Sequence, residues 1–243
     1  MGIKRMVVMT PTYDGYWEGT RDSCSQMVQE LTDVEFTFLH VNEVYIHAGR
    51  RKLLQRAMEL HRENRFNYFF WLDSDVEFTP KDMTAMIKAV DGGLPVVTGV
   101  YFSRHGNNNP MLCYGNPHDG YNFMIKKDWD ALKKSERNKY FLIDGCGFGF
   151  YIISAQAMVD YTSKIEATKW FDSSGWFPTR DHPNDQQYVI GEDIYFCRMM
   201  KLIGYPTLVN SHVLLKHKGV GVEDWYENMD KDTTHCPVME EFF

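Results

Sequence analysis

Two aspartates one residue apart, Asp73 and Asp75, stand where the apolar run Phe69, Phe70, Trp71, Leu72 breaks off. Both are charged at neutral pH and repel, so the pairing calls for a counter-charge. Carboxylates at the end of a buried strand suit a divalent cation shared with a phosphate. Mg²⁺ or Mn²⁺ takes hard oxygen ligands, often only one or two of them from protein carboxylates, and completes its shell with phosphate oxygens. The plain alternative is a surface turn in which an aspartate caps a helix. A second acidic pair, Glu192 and Asp193, opens a predicted helix with Phe196, Met199, Met200 and Ile203 on its apolar side. The helix dipole favours carboxylates in a first turn, which is an ordinary capping role, but a carboxylate held there and aimed into a cleft is also placed to act as a general base. His217 lies between Lys216 and Lys218 with Gly219 following, a setting suited to phosphate and metal. A single histidine is otherwise more often structural.

Two further stretches carry aromatic or cationic groups. In "TPTYDG", residues 10–15, Tyr13 offers a ring for stacking on a base, and Thr10 or Thr12 a hydroxyl to hydrogen-bond it; an ordinary turn is the alternative. In "HAGRRKLL", residues 47–54, Arg50 and Arg51 fall at the start of a predicted helix, the less favourable end for cations. Two charges accepting that position point to an anionic partner, although solvated surface arginines are a fair alternative. His105, His118 and His182 lie in loops without a comparable setting and stay unassigned.

The elements that must position these groups follow from the apolar pattern. Buried strands are predicted over 4–10, 34–40, 68–72 and 96–101. Between them come a helix capped by Thr20 with Cys24, Met27, Val28 and Leu31 inward, a helix over 50–65, and one opened by Thr79-Pro80 with Met83, Met86, Ile87 and Val90 inward. This alternation implies βαβ units and an α/β fold with a largely parallel sheet. Ligands of such sheets bind beyond the carboxyl ends of the strands, the edge to which the Asp73–Asp75 pair and the loop after Thr10 belong. After Ser103 the sequence turns irregular. The polar stretch 173–185, with Trp176 embedded, reads as a lid over the site, since long loops in compact domains are often functional. With no repeat or linker, a single domain is expected.

Composition narrows the classes. The chain has 243 residues, 44% of them apolar and 15% aromatic, so a large core is available and disorder is excluded. The net charge of −7, from 26 basic and 33 acidic residues, argues against a nucleic-acid binder. The five cysteines are scattered and form no CxxC pair, which points to reduced thiols in the cytoplasm and away from a zinc ribbon. No uncharged run reaches the roughly 18–20 residues a membrane span needs, so a soluble protein is expected.

Taken in order, these segments resemble those of the GT-A-fold glycosyltransferases, over most of the chain from the first strand to about His217. "TPTYDG" is similar to that family's nucleotide-binding start. "AGRRKLL" resembles its Ala-Arg-Asn segment, with Arg50 on the nucleotide-contacting arginine and Arg51 where asparagine is usual. "WLDSDVEFTP" resembles the DxD strand and its following helix. "DGCGFGFYIIS" is similar to the glycine-rich strand lining the donor-sugar and acceptor pocket. "GEDIYFCRMMKLIGY" resembles the acidic motif that carries the catalytic base. The resemblance implies a Rossmann-like GT-A domain over 1–243, a mostly parallel central sheet flanked by helices, with a nucleotide-binding half (1–103) and an acceptor and catalytic half (104–243). It implies metal-dependent transfer of a sugar from a nucleotide sugar, UDP being the expected nucleotide, to a hydroxyl of a glycan or other acceptor. Asp73, Asp75 and His217 would form the site for Mn²⁺ or Mg²⁺, Asp75 binding the metal directly and Asp73 more often reaching the ribose or a metal-bound water. Thr10, Pro11, Thr12, Tyr13, Arg50, Ser74 and Lys218 would contact the nucleotide. Gly145, Cys146, Gly147 and Trp176 would line the pocket. Asp193 would be the base, kept ionised by the helix N-terminus, with Glu192 beside it.

Three other readings are weaker. A sugar nucleotidyltransferase needs a compact glycine-rich phosphate loop with a basic residue after the first strand, which "TPTYDGYWEGTR" lacks. A carbohydrate-binding module using Trp170, Trp176 and Phe177 leaves both acidic pairs without a purpose. A Rossmann oxidoreductase is disfavoured because "GCGFGF" is not GxGxxG, lies mid-chain and leads into a strand.

Overall fold

Met6 and Val8 of the first strand pack into one apolar cluster, Val7 and Met9 into the opposite one, and all four are fully buried. The third strand divides in the same way, Phe70 and Leu72 against Phe69 and Trp71. Successive side chains of a strand point to opposite faces, so a strand covered on both sides has to be apolar throughout. The uninterrupted apolar runs of the sequence are the consequence.

The computed structural model describes residues 2–13, 15–103, 109–116, 120–125, 128–129, 139–168, 180–182 and 185–218. The elements in chain order are β1 (Lys4–Thr12), α1 (Glu18–Glu30), β2 (Val34–Asn42), α2 (Ile46–Asn64), β3 (Tyr68–Leu72), β4 (Val76–Glu77), α3 (Pro80–Asp91), β5 (Val96–Val100), β6 (Leu112–Asn116), β7 (Gly120–Phe123), β8 (Tyr140–Leu142), β9 (Gly145–Cys146), β10 (Phe150–Ser154), α4 (Ala155–Thr168), β11 (Arg180–His182), β12 (Asp185–Ile190), α5 (Glu192–Leu202), β13 (Leu208–Leu214) and β14 (Lys216–His217). The central sheet has seven strands in the order β2-β1-β3-β10-β5-β13-β8. The pairs β1–β2, β1–β3 and β5–β13 are parallel, while β10 and β8 run the other way. Core side chains of α1 and α3 pack on one face of the sheet, those of α2, α4 and α5 on the other. This is the α/β class expected, with a mostly parallel sheet flanked by helices, and strands from both halves of the chain share that sheet.

Three of the element boundaries that differ from expectation bear on the site. Strand β1 continues through Pro11 to Thr12, so the threonines belong to the sheet rather than to a loop. Helix α1 starts at Glu18, its N-cap Trp17 makes no side-chain cap bond, and Thr20 is buried inside the helix. What fixes this helix start is the Trp17 amide, which donates to the Ser74 carbonyl at 2.8 Å. Helix α2 starts at Ile46, so Arg50 lies a full turn inside it. Helix α3 starts as expected, with a capping box in which Thr79 accepts from the Asp82 amide and Asp82 accepts from the Thr79 amide. No described helix is long and apolar enough to cross a membrane.

Candidate active site

The chain leaves β3 at Leu72, and the next three residues form the turn that holds both aspartates. That turn is fixed at several points. The Asp73 amide donates to the Gly149 carbonyl at 3.2 Å, the Ser74 carbonyl accepts from Trp17, and the Lys218 amide donates to the Asp75 carbonyl at 2.9 Å. Strand β14 pairs antiparallel with β4, setting His217 opposite Val76. His217 Nε2 lies 3.4 Å from Asp75 Oδ1, both side chains partly buried. On the other side of the ring, Nδ1 stands 2.6 Å from the Phe102 carbonyl oxygen. A carbonyl only accepts, so Nδ1 carries the hydrogen and Nε2 is the nitrogen turned to Asp75. Among the described residues no group of three or more His, Cys, Asp or Glu side chains is placed to hold a metal by itself. Asp75 and His217 stand as a pair of neighbouring side chains at the end of the turn.

Asp73 pairs with Arg50. Its Oδ1 accepts from Arg50 Nη2 at 3.1 Å, and Arg50 Nε lies 3.4 Å from Glu192 Oε1. Arg50 is 2% exposed. Its guanidinium carbon sits 4.7 Å from the centre of the Phe148 ring and 5.9 Å from that of Trp71, in reach of cation–π attraction. The Nε contact to Glu192 is close enough for ion pairing but not aligned as a hydrogen bond, and Nη1 has no hydrogen bond among the described residues. Arg50, expected on the nucleotide, is thus turned inward as the shared counter-ion of two carboxylates. Burial alone would lower its pKa, but Asp73, Glu192 and Asp193 around it raise it instead. For Asp73, burial, Asp75 and Glu192 raise the pKa above the usual carboxylate value despite Arg50 and His217.

The other acidic pair divides its roles. Glu192, 4% exposed, faces Arg50. Asp193 is less enclosed, and its Oδ1 accepts from the Ile194 amide at 2.7 Å. Burial, followed by the charge of Glu192, pushes the Asp193 carboxyl up to about 7, against the opposing pull of Arg50 and the Ile194 amide. The expectation that the helix N-terminus keeps Asp193 ionised is corrected on this point. One amide bond and the helix dipole do not offset lost hydration beside a second carboxylate. A group titrating near neutrality is well matched to proton transfer.

The glycine-rich stretch serves packing more than an open wall. A Cβ on Gly145 would come within 2.9 Å of Ile194, directly after Asp193, and one on Gly147 would overlap the Tyr101 hydroxyl. Cys146, expected in the pocket, is 1% exposed with its Sγ 3.8 Å from that of Cys197, on the α5 side. Cys24, Cys113, Cys146 and Cys197 are buried and in no disulfide; Cys236 lies outside the described residues. In the first-strand segment, Thr10, Pro11 and Thr12 are buried, and the Thr12 hydroxyl donates to the Val41 carbonyl at 3.2 Å within the sheet. Tyr13 alone of the four is exposed, at 69%. Lys216 is engaged by Glu77 at 3.0 Å, whereas the exposed Lys218 follows directly on the Asp75–His217 pair. Residues 173–179, including Trp176, lie outside the described residues; Arg180–His182 pairs antiparallel with Asp185–Ile190, so the end of the expected lid is a hairpin.

Two aromatic residues at the centre of the site were missed from sequence. Tyr101 directly follows β5 and touches both the glycine-rich loop and His217. Phe148 carries the Arg50 guanidinium. The signal for Tyr101 was present, because the end of a predicted parallel strand marks the ligand edge as well for Tyr101 as for Asp73. Nothing in the local pattern distinguishes Phe148 from the core phenylalanines around it.

No family model matches the chain, and no curated protein does. Among solved structures, the crystal structure of A197 from STIV overlays with a TM-score of 0.48 at 16% identity, covering 96% of this chain and 100% of that one. The crystal structure of a glycosyltransferase involved in the glycosylation of the major capsid of PBCV-1 overlays with a TM-score of 0.46 at 14% identity, covering 93% and 98%. Likenesses at this level do not decide an activity, which has to come from the side chains of the site.

Proposed function

We propose that this chain is a GT-A-type glycosyltransferase, moving a sugar from a nucleotide sugar, with UDP as the nucleotide, to a hydroxyl of a glycan or related acceptor in the presence of Mn²⁺ or Mg²⁺. What carries the reading is one juxtaposition at the carboxyl edge of the sheet. A two-ligand oxygen and imidazole pair, Asp75 with His217, stands on the same rim as a carboxylate, Asp193, whose pKa is raised to about 7. The donor set fits a hard or borderline divalent cation, because the locked Nδ1–H leaves Nε2 facing a carboxylate oxygen. Asp75 and His217 would hold that cation, which when bound supplies positive charge to a departing diphosphate. Lys218, exposed beside the pair, adds charge on the same side. Tyr13, the exposed residue at the end of β1, is free to stack on the base. Asp193 takes the proton of the acceptor hydroxyl, while Arg50 holds Asp73 and Glu192 in place behind it.

The test is calorimetric titration of UDP with and without Mn²⁺. The wild-type chain is expected to bind in a cation-dependent way, and Asp75→Ala to lose that dependence while melting like the wild type. Equal UDP binding by the variant, or by the wild type in EDTA, would overturn the metal site.

A further inference from the structure

We infer that Tyr101 is a positioning residue for the site, its hydroxyl setting the height of the 145–149 loop above the carboxyl end of the sheet; the inference rests on the glycosyl-transfer reading above. Tyr101 is 4% exposed and directly follows β5. Its hydroxyl oxygen accepts from the Gly149 amide at 3.0 Å, and the Gly149 carbonyl in turn accepts from the Asp73 amide at 3.2 Å. One residue of the loop is therefore tied on one side to Tyr101 and on the other to the aspartate turn.

The fit of ring to loop is close. A Cβ built on Gly147 would lie 2.0 Å from the Tyr101 hydroxyl oxygen, and one on Gly149 2.6 Å from Cζ of the same ring. Both are shorter than real Cβ contacts, so the glycines and the tyrosine require one another. The same ring meets His217, ring centres 5.3 Å apart and planes at 86°, and His217 is held by the carbonyl of the next residue, Phe102. A single side chain thus abuts the loop and His217, and through Gly149 it is linked to the Asp73 turn.

The hydroxyl is the informative part. A phenylalanine would fill the same space, and burying a hydroxyl is unfavourable unless it is hydrogen-bonded. The Gly149 amide supplies that bond. That bond ties the hydroxyl to the loop rather than to a reacting atom. Its effect on transfer passes through the loop and the Asp73 turn, which fixes its role as positioning.

Two variants test this. Tyr101→Phe keeps the ring but leaves the buried Gly149 amide without its acceptor, so it should melt modestly below the wild type with the Mn²⁺-dependent affinity for UDP unchanged, while kcat for transfer falls by about tenfold to a hundredfold with donor KM little altered, as for a small misplacement of reacting groups. Gly147→Ala should lower the melting temperature in the wild type. In the Tyr101→Phe background the clashing oxygen is gone and the nearest atom is Cζ at 3.1 Å, so the added loss should be much smaller. Additive losses, or wild-type kcat in Tyr101→Phe, would overturn the inference. The melting cycle needs no substrate and so separates the two readings. Non-additive melting in a chain that binds no nucleotide would keep Tyr101 as the brace of the loop and remove the proposed function; additive melting would remove Tyr101 whatever the chain binds.

Discussion

Asp193→Asn is expected to lower sugar transfer by about 10²–10⁴-fold while leaving cation-dependent UDP binding intact, the loss typical of removing a general base in a single displacement. The side chain sits at the start of α5, where Gly145 brings the glycine-rich loop against the neighbouring Ile194. Its ionised form is the base, and burial beside Glu192 raises its pKa to about 7. Wild-type kcat/KM should therefore rise with pH through about 7 and level off above, and the residual rate of the asparagine variant should lack that limb. The stability consequence has the opposite sign. A carboxyl whose folded pKa is raised favours the fold when protonated, so its contribution is complete below the ordinary carboxylate value of about 4 and is lost as pH climbs. That loss runs up through about 7 in the wild type. Asparagine cannot ionise, so melting temperatures of the two proteins should draw apart in favour of the variant over that interval. Near-normal transfer by Asp193→Asn would remove the assignment, whatever the melts show.

How far the sequence reveals this site depends on the range of the interactions involved. Strand β3 was legible to the residue, because burial on both faces forces an apolar run and Asp73 ends it. The start of α3 was legible because its cap is local, Thr79 and Asp82 bonding each other three residues apart. The start of α1 was not, since its fixing bond comes from the Ser74 carbonyl, far away in sequence. The start of α2 was misplaced because Val44, Tyr45 and Ile46 are exposed and leave no apolar period to read there. That error changed the meaning of Arg50. At a helix start two arginines point outward to an anion; a turn further in, Arg50 faces the core and its anions are the protein's own. The acidic pairs were visible, but that one arginine joins them is a property of packing between α2, β3 and α5. The raised pKa of Asp193 has the same origin. Composition at a helix start predicts an ionised carboxylate, and only the burial of the assembled site reverses it.

Arg50→Met is expected to destabilise the fold by about 3–5 kcal/mol, the penalty typical of removing one partner from a buried ion pair. Methionine keeps most of the packing volume against Phe148, so the loss is electrostatic rather than a cavity effect. It leaves Asp73 and Glu192, with side chains 21% and 5% exposed, without the cation that both now face, and leaves Asp193 close by. Arg50→Lys should recover part of the loss, since an ammonium keeps the charge but cannot span two carboxylates as a planar fork does. The pH dependence identifies the cause. Protonation neutralises the stranded carboxylates, so the deficit should shrink as pH falls and widen as pH rises, the direction set by the already raised pKa of Asp73. A second substitution sharpens the point: Glu192→Gln removes one of the charges that Arg50 offsets, so the double variant Arg50→Met/Glu192→Gln should melt above Arg50→Met alone. If Arg50 instead contacted the nucleotide directly, its replacement would weaken UDP binding at unchanged stability, and the second substitution would restore nothing. Urea melts of the three variants at acidic and alkaline pH separate these cases, and a wild-type midpoint for Arg50→Met would show that the carboxylates are held together by something other than the arginine between them.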